Sequence, residues 1–163
     1  MKKGFTLIEM IVAVAIFTVV MIITIGTYLN VDDIQKKATA LRIVNDNVNF
    51  VLEIMTRELR SGQNYSSCTD CDSINFINKD GESIIYYLDS ADNSIKRNNG
   101  VDIIRLTSPN VAVENLTFNV KQGGAPFLQP LVTILVKASA GEKIKIKNVL
   151  NVQVSVSKRE LGS

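Results

Sequence analysis

Apolar residues dominate the start of the chain on every side of any helix they could form. No charge occurs from Met10 to Val31, and the next charged residue is Asp32. As an α-helix this stretch would be about 33 Å long at ~1.5 Å per residue, which matches the hydrocarbon core of a bilayer. The pattern predicts a membrane-crossing helix, with Lys2 and Lys3 on the cytoplasmic side and the rest of the chain outside.

After this uncharged stretch the apolar residues fall into one helical stripe, at steps of three and four residues with charges between them. No proline interrupts the segment, and Ser61-Gly62 is a plausible stop. The pattern predicts one helix from about Phe5 to Arg60, whose second half buries a face against another part of the protein. The apolar positions are Ile34, Ala38, Leu41, Val44, Val48, Val51 or Leu52, Met55 and Leu59.

The rest of the chain consists of short strand patterns separated by turn residues, with no helical pattern between them. Strands that follow one another in this way form a mainly antiparallel sheet with one face to bury. The step from Val113 to Leu116 breaks the apolar alternation and predicts a β-bulge. The fold class is therefore α+β, a long N-terminal helix packed on a C-terminal antiparallel sheet. The predicted strands are 73–77, 82–88, 94–98, 101–107, 111–121 and 131–139, with a last one within 143–160.

Composition restricts the chemistry that the chain can perform. It has 163 residues, no histidine and two cysteines. The lack of histidine excludes a Ser-His-Asp triad, a Cys-His pair and histidine metal ligands, and no other nucleophile has an evident base. We therefore expect no enzyme activity, no cofactor and no metal centre. The net charge of +2 is too small for the basic surface of a typical nucleic-acid binder.

One acid, Glu9, lies at the start of the apolar run. An ionisable group at membrane depth normally has a partner, and the nearby cations are Lys2, Lys3 and an α-amino group. A cut after Gly4 would create an α-amino group on Phe5, close to the depth of Glu9. This amine could meet Glu9 of its own helix, or Glu9 of a neighbouring helix in an assembly.

Two simpler interpretations of the N-terminus remain. A secretory signal could be cut after the small residues 13–15, but Glu9 interrupts the short apolar core before that site, and the apolar run continues beyond it. A plain signal-anchor helix would fit the length and would leave Glu9 as an acid without a role.

The stretch KKGFTLIEMIVAVAIFTVV, residues 2–20, closely resembles the class III signal and N-terminal helix of type IV pilins and pseudopilins. The resemblance implies that a prepilin peptidase cuts between Gly4 and Phe5, and that Phe5 is then N-methylated. It also implies that Glu9 pairs with the N-terminus of a neighbouring subunit during filament assembly. The implied organisation is a leader peptide at 1–4, a membrane and filament-core half of the helix at 5–31, an amphipathic half at 32–62 and a sheet head at 63–163.

Within this family the chain is most similar to a minor pilin or minor pseudopilin that initiates or caps assembly. The machine could be a type IV pilus, a type II secretion pseudopilus or a DNA-uptake pseudopilus. The implied partners are prepilin peptidase, other pilin or pseudopilin subunits and the inner-membrane assembly platform. The implied location is a single pass of the inner membrane, with the head outside the cytoplasm, followed by the filament. The alternative is a filament-displayed binding module for DNA, a surface or a secreted substrate.

Cys68 and Cys71 form a CTDC stretch in the predicted loop after the helix. An exported head permits a disulfide between them, and free thiols or a metal or redox pair are the alternatives. The absence of histidine and of a second cysteine pair argues against a four-ligand zinc site within one chain.

Two further patterns have a structural and a functional interpretation. Asn78, Asp80 and Glu82 surround Gly81 and fit a turn, although their oxygens are also of the type that binds calcium. The lysines of the KIKIK stretch fit a solvated or protected strand edge, or a DNA contact that lacks the usual aromatic residues. These lysines are Lys143, Lys145 and Lys147.

Overall fold

A computed structural model describes residues 6–123, 129–140 and 148–158. Within these ranges the chain forms one helix and eight strands, and it divides into two compact units, residues 1–38 and 39–163. Helix α1, Leu7–Ser61, begins in the first unit and ends in the second. The strands are β1 (Cys68–Cys71), β2 (Ser73–Ile77), β3 (Ser83–Asp89), β4 (Ser94–Asn98), β5 (Ile103–Arg105), β6 (Ala112–Lys121), β7 (Leu131–Ala140) and β8 (Asn148–Ser157).

The part of α1 in the second unit buries one face in the core. The predicted stripe is confirmed from Val44 onwards, but it was wrong at its start, because Ile34, Ala38 and Leu41 are exposed. Burial begins at Ala40, where the surface that covers the helix begins. The buried helix residues are Ala40, Val44, Val48, Val51, Leu52, Met55 and Leu59.

The predicted α+β class with antiparallel strands is confirmed, but the strands form two sheets instead of one. The first sheet has the order β2-β3-β4-β5 and the second sheet has the order β1-β6-β7-β8. The CTDC stretch, which we predicted to be a loop, forms β1 and pairs with β6 across a register irregularity. The turn after β5 contains Ser108 and Pro109, and beyond it β6 starts a separate ladder with β7.

Strand β6 contains the predicted bulge. Its register with β7 shifts between Val113 and Asn115, and the residues beyond the shift alternate regularly between the core and the outside. The extra residue restores the apolar face, because Val113 and Leu116 are both buried although they are three residues apart.

Stacked aromatic side chains pack beside the C-terminal end of α1. The Phe76 ring lies between the rings of Tyr65 and Tyr86, with centroid distances of 6.1 and 5.9 Å. The Tyr65 hydroxyl lies within hydrogen-bonding distance of the carbonyl oxygens of Leu59 and Gly62, so it satisfies a carbonyl group that the ending helix leaves free.

A side-chain network joins the last turn of α1 to the first sheet. The Glu58 carboxylate accepts hydrogen bonds from the Tyr86 hydroxyl at 2.6 Å and from the Arg97 Nε at 3.2 Å. Arg97 Nη2 also lies 3.1 Å from the second carboxylate oxygen. Because Arg97 and Glu58 are largely shielded from water, this two-point pairing fixes the helix end more firmly than an exposed ion pair would.

We expect Gly62→Ala to destabilise the head by about 1–3 kcal/mol, the usual range for overpacking a core. A Cβ atom at this position would lie 2.7 Å from Cδ2 of Phe76, and the rings of Tyr65 and Tyr86 leave Phe76 little room to move. Denaturant unfolding of the detergent-solubilised chain measures the effect. Gly26→Ala is the control, because beyond its chain neighbours and the adjacent helix backbone no atom of the described residues lies within 4 Å of its Cβ position. Equal stabilities of the two variants would contradict the prediction.

Burial and the hydrogen bond to Glu58 raise the pKa of Tyr86 well above its ordinary value of 10.0. The folded state therefore favours the neutral phenol. The stability that comes from the buried, neutral Tyr86 side chain is fully present below pH ~10. It is lost progressively as the pH rises above that value, because the phenol ionises in the unfolded state. Tyr86→Phe should lower the free energy of unfolding by about 1–3 kcal/mol at pH 8, because Glu58 loses a partner, and should reduce the decline at high pH.

Urea unfolding at pH 8 and at pH 10–11 tests this expectation. Tyr87→Phe on the same strand is the matched control, since Tyr87 points to the opposite face of the sheet. An equal decline of stability at high pH in wild type and Tyr86→Phe would refute the role of Tyr86.

Candidate processing and assembly site at the N-terminus

The start of α1 carries a reciprocal cap. Thr6 immediately precedes the helix, and its hydroxyl oxygen accepts a hydrogen bond from the Glu9 backbone N–H at 3.4 Å. The Glu9 carboxylate in turn accepts from the Thr6 backbone N–H at 3.4 Å. This is a capping box, in which the first and fourth residues satisfy each other's backbone donors. Gly4 and Phe5, the predicted cleavage site, lie outside the described residues.

The capping box gives Glu9 a local role that our sequence analysis missed, although the Thr-x-x-Glu spacing is its signal. The acid also lies in the first turn of α1, where the positive end of the helix dipole favours a negative charge. The Thr6 hydroxyl is a further hydrogen-bond partner of the carboxylate, again at 3.4 Å. Glu9 is therefore held at the helix start while its side chain stays exposed.

Beyond Glu9, α1 presents apolar side chains on all sides. Every residue from Thr6 to Val31 is exposed, and α1 is long and apolar enough to cross a membrane. Water is a poor solvent for such a surface, so lipid or other apolar helices must cover it. The apolar helix is therefore a membrane anchor or a packing surface.

Three hydroxyl groups in this part of the helix are satisfied internally. Thr18, Thr24 and Thr27 each donate to the carbonyl oxygen four residues earlier, at 2.8–2.9 Å. A hydroxyl bonded in this way exposes no free donor to lipid. Lys36 and Asp32, at 2.6 Å, form an i, i+4 ion pair just beyond the apolar segment.

The CTDC stretch is fixed to β6 by polar contacts. Asp70 has a positive φ of 54°, a conformation that Asp tolerates better than most residues. The Asn119 amide exchanges two hydrogen bonds with Asp70, at 2.8 and 3.0 Å. The sulfur of Cys71 is disulfide-bonded. The Cys68 side chain lies outside the described part of the chain, and its pairing with Cys71 stays a prediction.

The polar groups of the turn around Gly81 form hydrogen bonds with one another. The Asn78 side-chain oxygen accepts from the backbone N–H groups of Asp80 and Glu82, both at 2.9 Å, and its amide donates to the Glu82 carboxylate at 3.0 Å. These bonds confirm the turn interpretation. Among the described residues, no group of three or more acidic or cysteine side chains could hold a metal ion. The three KIKIK lysines lie outside those residues.

Comparisons with known proteins concern the N-terminal part of the chain. Residues 1–25 match the family model described as the prokaryotic N-terminal methylation motif. The pilin-like protein PilA3 of Thermus thermophilus is 32% identical over 60 residues, which is 37% of this chain and 26% of that protein. The chain thus spans about a quarter of the length of this curated relative. No solved structure matches the chain.

The methylation motif covers the capped helix start and most of the exposed apolar segment. The similarity to PilA3 adds a pilin-like relative to this motif. The chain is thus similar to a methylation motif at its N-terminus and, over 60 residues, to one pilin-like protein.

Proposed function

We propose that this chain is a pilin-like structural subunit that is anchored in the inner membrane by α1 and then assembled through α1 into a filament. The observation that carries the proposal is an exposed, apolar helix that starts with the Thr6–Glu9 capping box inside a methylation motif. Such a surface needs apolar partners, and neighbouring copies of the same helix can supply them. The head lies outside the cytoplasm in this proposal.

Processing is the first step of the proposed pathway. Prepilin peptidase removes residues 1–4 and leaves Phe5 as an N-methylated terminus. The capping box does not involve the leader, because its donors and acceptors belong to Thr6 and Glu9. The cut therefore changes the charge near the helix start and leaves the cap in place.

Assembly is the second step. The new terminal amine of one subunit meets Glu9 of another at the same membrane depth, and the two charges neutralise each other in apolar surroundings. The helix dipole and the Thr6 hydroxyl hold the carboxylate at the helix start, where an incoming amine can reach it.

Within the filament we propose a minor subunit that initiates or caps assembly, in a type IV pilus or a secretion-type pseudopilus. In any such subunit, Glu58 and its partners attach the head firmly to the end of α1. A firmly attached head can present its surface to other subunits and to the assembly platform. The filament-displayed binding module stays an alternative prediction, since the lysines of its DNA variant lie outside the described residues.

We expect Gly4→Val to block processing, because a branched side chain replaces the residue at the cleavage point. The wild-type protein should lose residues 1–4 and gain the mass of one methyl group at Phe5. Intact-mass and N-terminal peptide analysis of membrane fractions measures both changes. Gly26→Ala, outside the cleavage site, should be processed normally. A Gly4→Val protein with a normal Phe5 terminus would refute the cleavage assignment.

Glu9→Gln separates the charge of Glu9 from its capping role. The glutamine oxygen can still accept from the Thr6 N–H, but the variant has no charge to pair with an amine. We expect normal processing and at least a tenfold loss of subunits from the sheared filament fraction. Thr6→Ala is the matched control, since it keeps the charge and removes a cap worth about 1 kcal/mol.

Quantitative immunoblots of membrane and sheared fractions compare these two variants. The pairing proposal requires that Thr6→Ala assembles better than Glu9→Gln. If Glu9→Gln assembles normally and Thr6→Ala fails, the capping box is the feature that assembly needs, and the pairing proposal is wrong.

A further inference from the structure

The polar side chains of the uncharged stretch 10–31 fall into two groups. Up to residue 27 the polar side chains are threonines, and each hydroxyl donates to a carbonyl oxygen of the same helix at 2.8–2.9 Å. Tyr28 and Asn30 follow, and neither side chain has a hydrogen-bond partner among the described residues. Tyr28 is 72% exposed. Within the described chain, its hydroxyl is therefore the first polar side-chain group beyond Glu9 that lacks a partner.

This difference decides which side chains can lie in hydrocarbon. A hydroxyl group without a partner loses its hydrogen bonds to water when it enters an apolar medium, whereas a threonine hydroxyl bonded within its helix keeps its bond. A tyrosine ring is apolar along its body and polar at its tip, so the residue is common where hydrocarbon meets the lipid headgroups. This boundary is the level at which Tyr28 is best accommodated.

The spacing between Glu9 and Tyr28 agrees with this level. Tyr28 lies about 29 Å beyond Glu9 along α1, at ~1.5 Å per residue, and the hydrocarbon core of a bilayer is about 30 Å thick. The carboxylate and the phenol can therefore lie at opposite surfaces of the core at the same time. Burying the whole uncharged stretch would instead draw the unpaired groups of Tyr28 and Asn30 below the surface.

The charged residues beyond this point do not form a competing anchor. Their charges sum to zero, and Lys36 Nζ lies 2.6 Å from a carboxylate oxygen of Asp32. Anionic headgroups attract clusters of excess lysine and arginine, and a segment with balanced charge lacks this attraction. Contact with the boundary therefore depends on the phenol of Tyr28. The charged residues in question are Asp32, Asp33, Lys36 and Lys37.

We propose that Tyr28 anchors α1 at the outer surface of the inner membrane. Its ring lies at the edge of the hydrocarbon, and its hydroxyl donates to a phosphate or ester oxygen of a phospholipid headgroup. Residues 10–27 then span the hydrocarbon and residues 28–31 lie in the headgroup layer. The inference rests on the proposed function, because it needs α1 in a bilayer with the head outside, and it adds the level at which the helix leaves the lipid.

NMR of the full chain in phosphatidylcholine nanodiscs tests the level in the wild-type protein. The tyrosine and phenylalanine rings are isotope-labelled, and the variants Tyr28→Phe and Phe17→Leu assign the two signals of interest. Spin-labelled lipids carry the label either near the headgroup or at the end of the acyl chain. Phe17 lies about 12 Å beyond Glu9, close to the bilayer centre. We expect the deep label to broaden Phe17 most strongly and the shallow label to broaden Tyr28 most strongly.

Two variants test whether Tyr28 sets the depth of α1. Tyr28→Phe keeps the ring and removes the hydroxyl, so Asn30 becomes the first unpaired polar group. We expect α1 to shift by two residues, or about 3 Å, towards the cytoplasm, which moves Phe17 away from the centre and weakens its broadening by the deep label. Tyr28→Trp is the matched control, because it keeps an aromatic body with a polar N–H and should preserve the wild-type depth.

Stronger broadening of Tyr28 by the deep label, or broadening by a water-soluble paramagnetic chelate alone, would overturn the proposal. Unchanged broadening of Phe17 in Tyr28→Phe would also overturn it, because another group would then set the depth. Adding phosphatidylglycerol should leave the depth unchanged, and a depth that follows the anionic lipid would assign the anchor to the lysines instead. Absence of broadening at Phe17 with both labels would refute the membrane anchoring itself, and the role of Tyr28 with it.

Discussion

Burial of the α1 face from Ala40 to Leu59 is the interaction on which the rest of the head depends. Each sheet has one apolar face, and neither face can be shielded from water by its own strands. The helix residues with the least exposure, Val44 and Met55, lie in the same apolar core as Phe76, Phe118 and other strand residues of both sheets. The Glu58 network and the Tyr65 hydroxyl then determine how the helix ends. The Glu58 network and the Tyr65 hydroxyl can reach their partners only when burial of the hydrophobic face has brought the helix against the sheets.

The same helix meets a different requirement nearer the N-terminus. From Thr6 to Val31 it has no protein core to cover it, and its side chains are apolar on all sides. A helix of this kind is stable in lipid because each backbone group is bonded within the helix. One continuous helix, α1, therefore has two kinds of surface. Its surface is apolar on all sides in the first part and carries a single apolar stripe where it packs in the core, and this change marks the change of environment.

Periodicity predicted the elements well because it reports local burial. The helix stop at Ser61, the strands at 73–77 and 94–98 and the bulge after Val113 all follow from neighbouring residues. The pairing of strands that lie far apart in the sequence could not be predicted in this way. No local pattern shows that β1 joins β6 or that the strands divide into two sheets. The stripe at Ile34 and Leu41 failed for a related reason, since a sequence does not show where the covering surface ends.

The sequence directed attention to Glu9 as a candidate residue, but we did not derive its hydrogen bonds from the sequence. Glu9 stood out because a lone acid in an apolar run is costly, but its bond to Thr6 depends on where the helix begins. The reciprocal bonds of Asp70 and Asn119, by contrast, join residues far apart in the chain and have no local sequence signal. Chemistry that depends on composition was visible in the sequence, whereas contacts that depend on tertiary structure were not.

The internal bonds of Thr18, Thr24 and Thr27 have a consequence for moving α1 between environments. A hydroxyl that relied on lipid headgroups or on a neighbour would have to exchange its partner during any such transfer. In α1 the partner of each threonine hydroxyl is a carbonyl oxygen of the same helix, so the hydrogen bond moves with the helix. Leaving the bilayer for a bundle of similar helices therefore replaces one set of dispersion contacts by another and breaks no threonine hydrogen bond. In the proposed assembly pathway, the hydroxyl groups of these three threonines would therefore add little to the free-energy cost of extracting a subunit from the membrane.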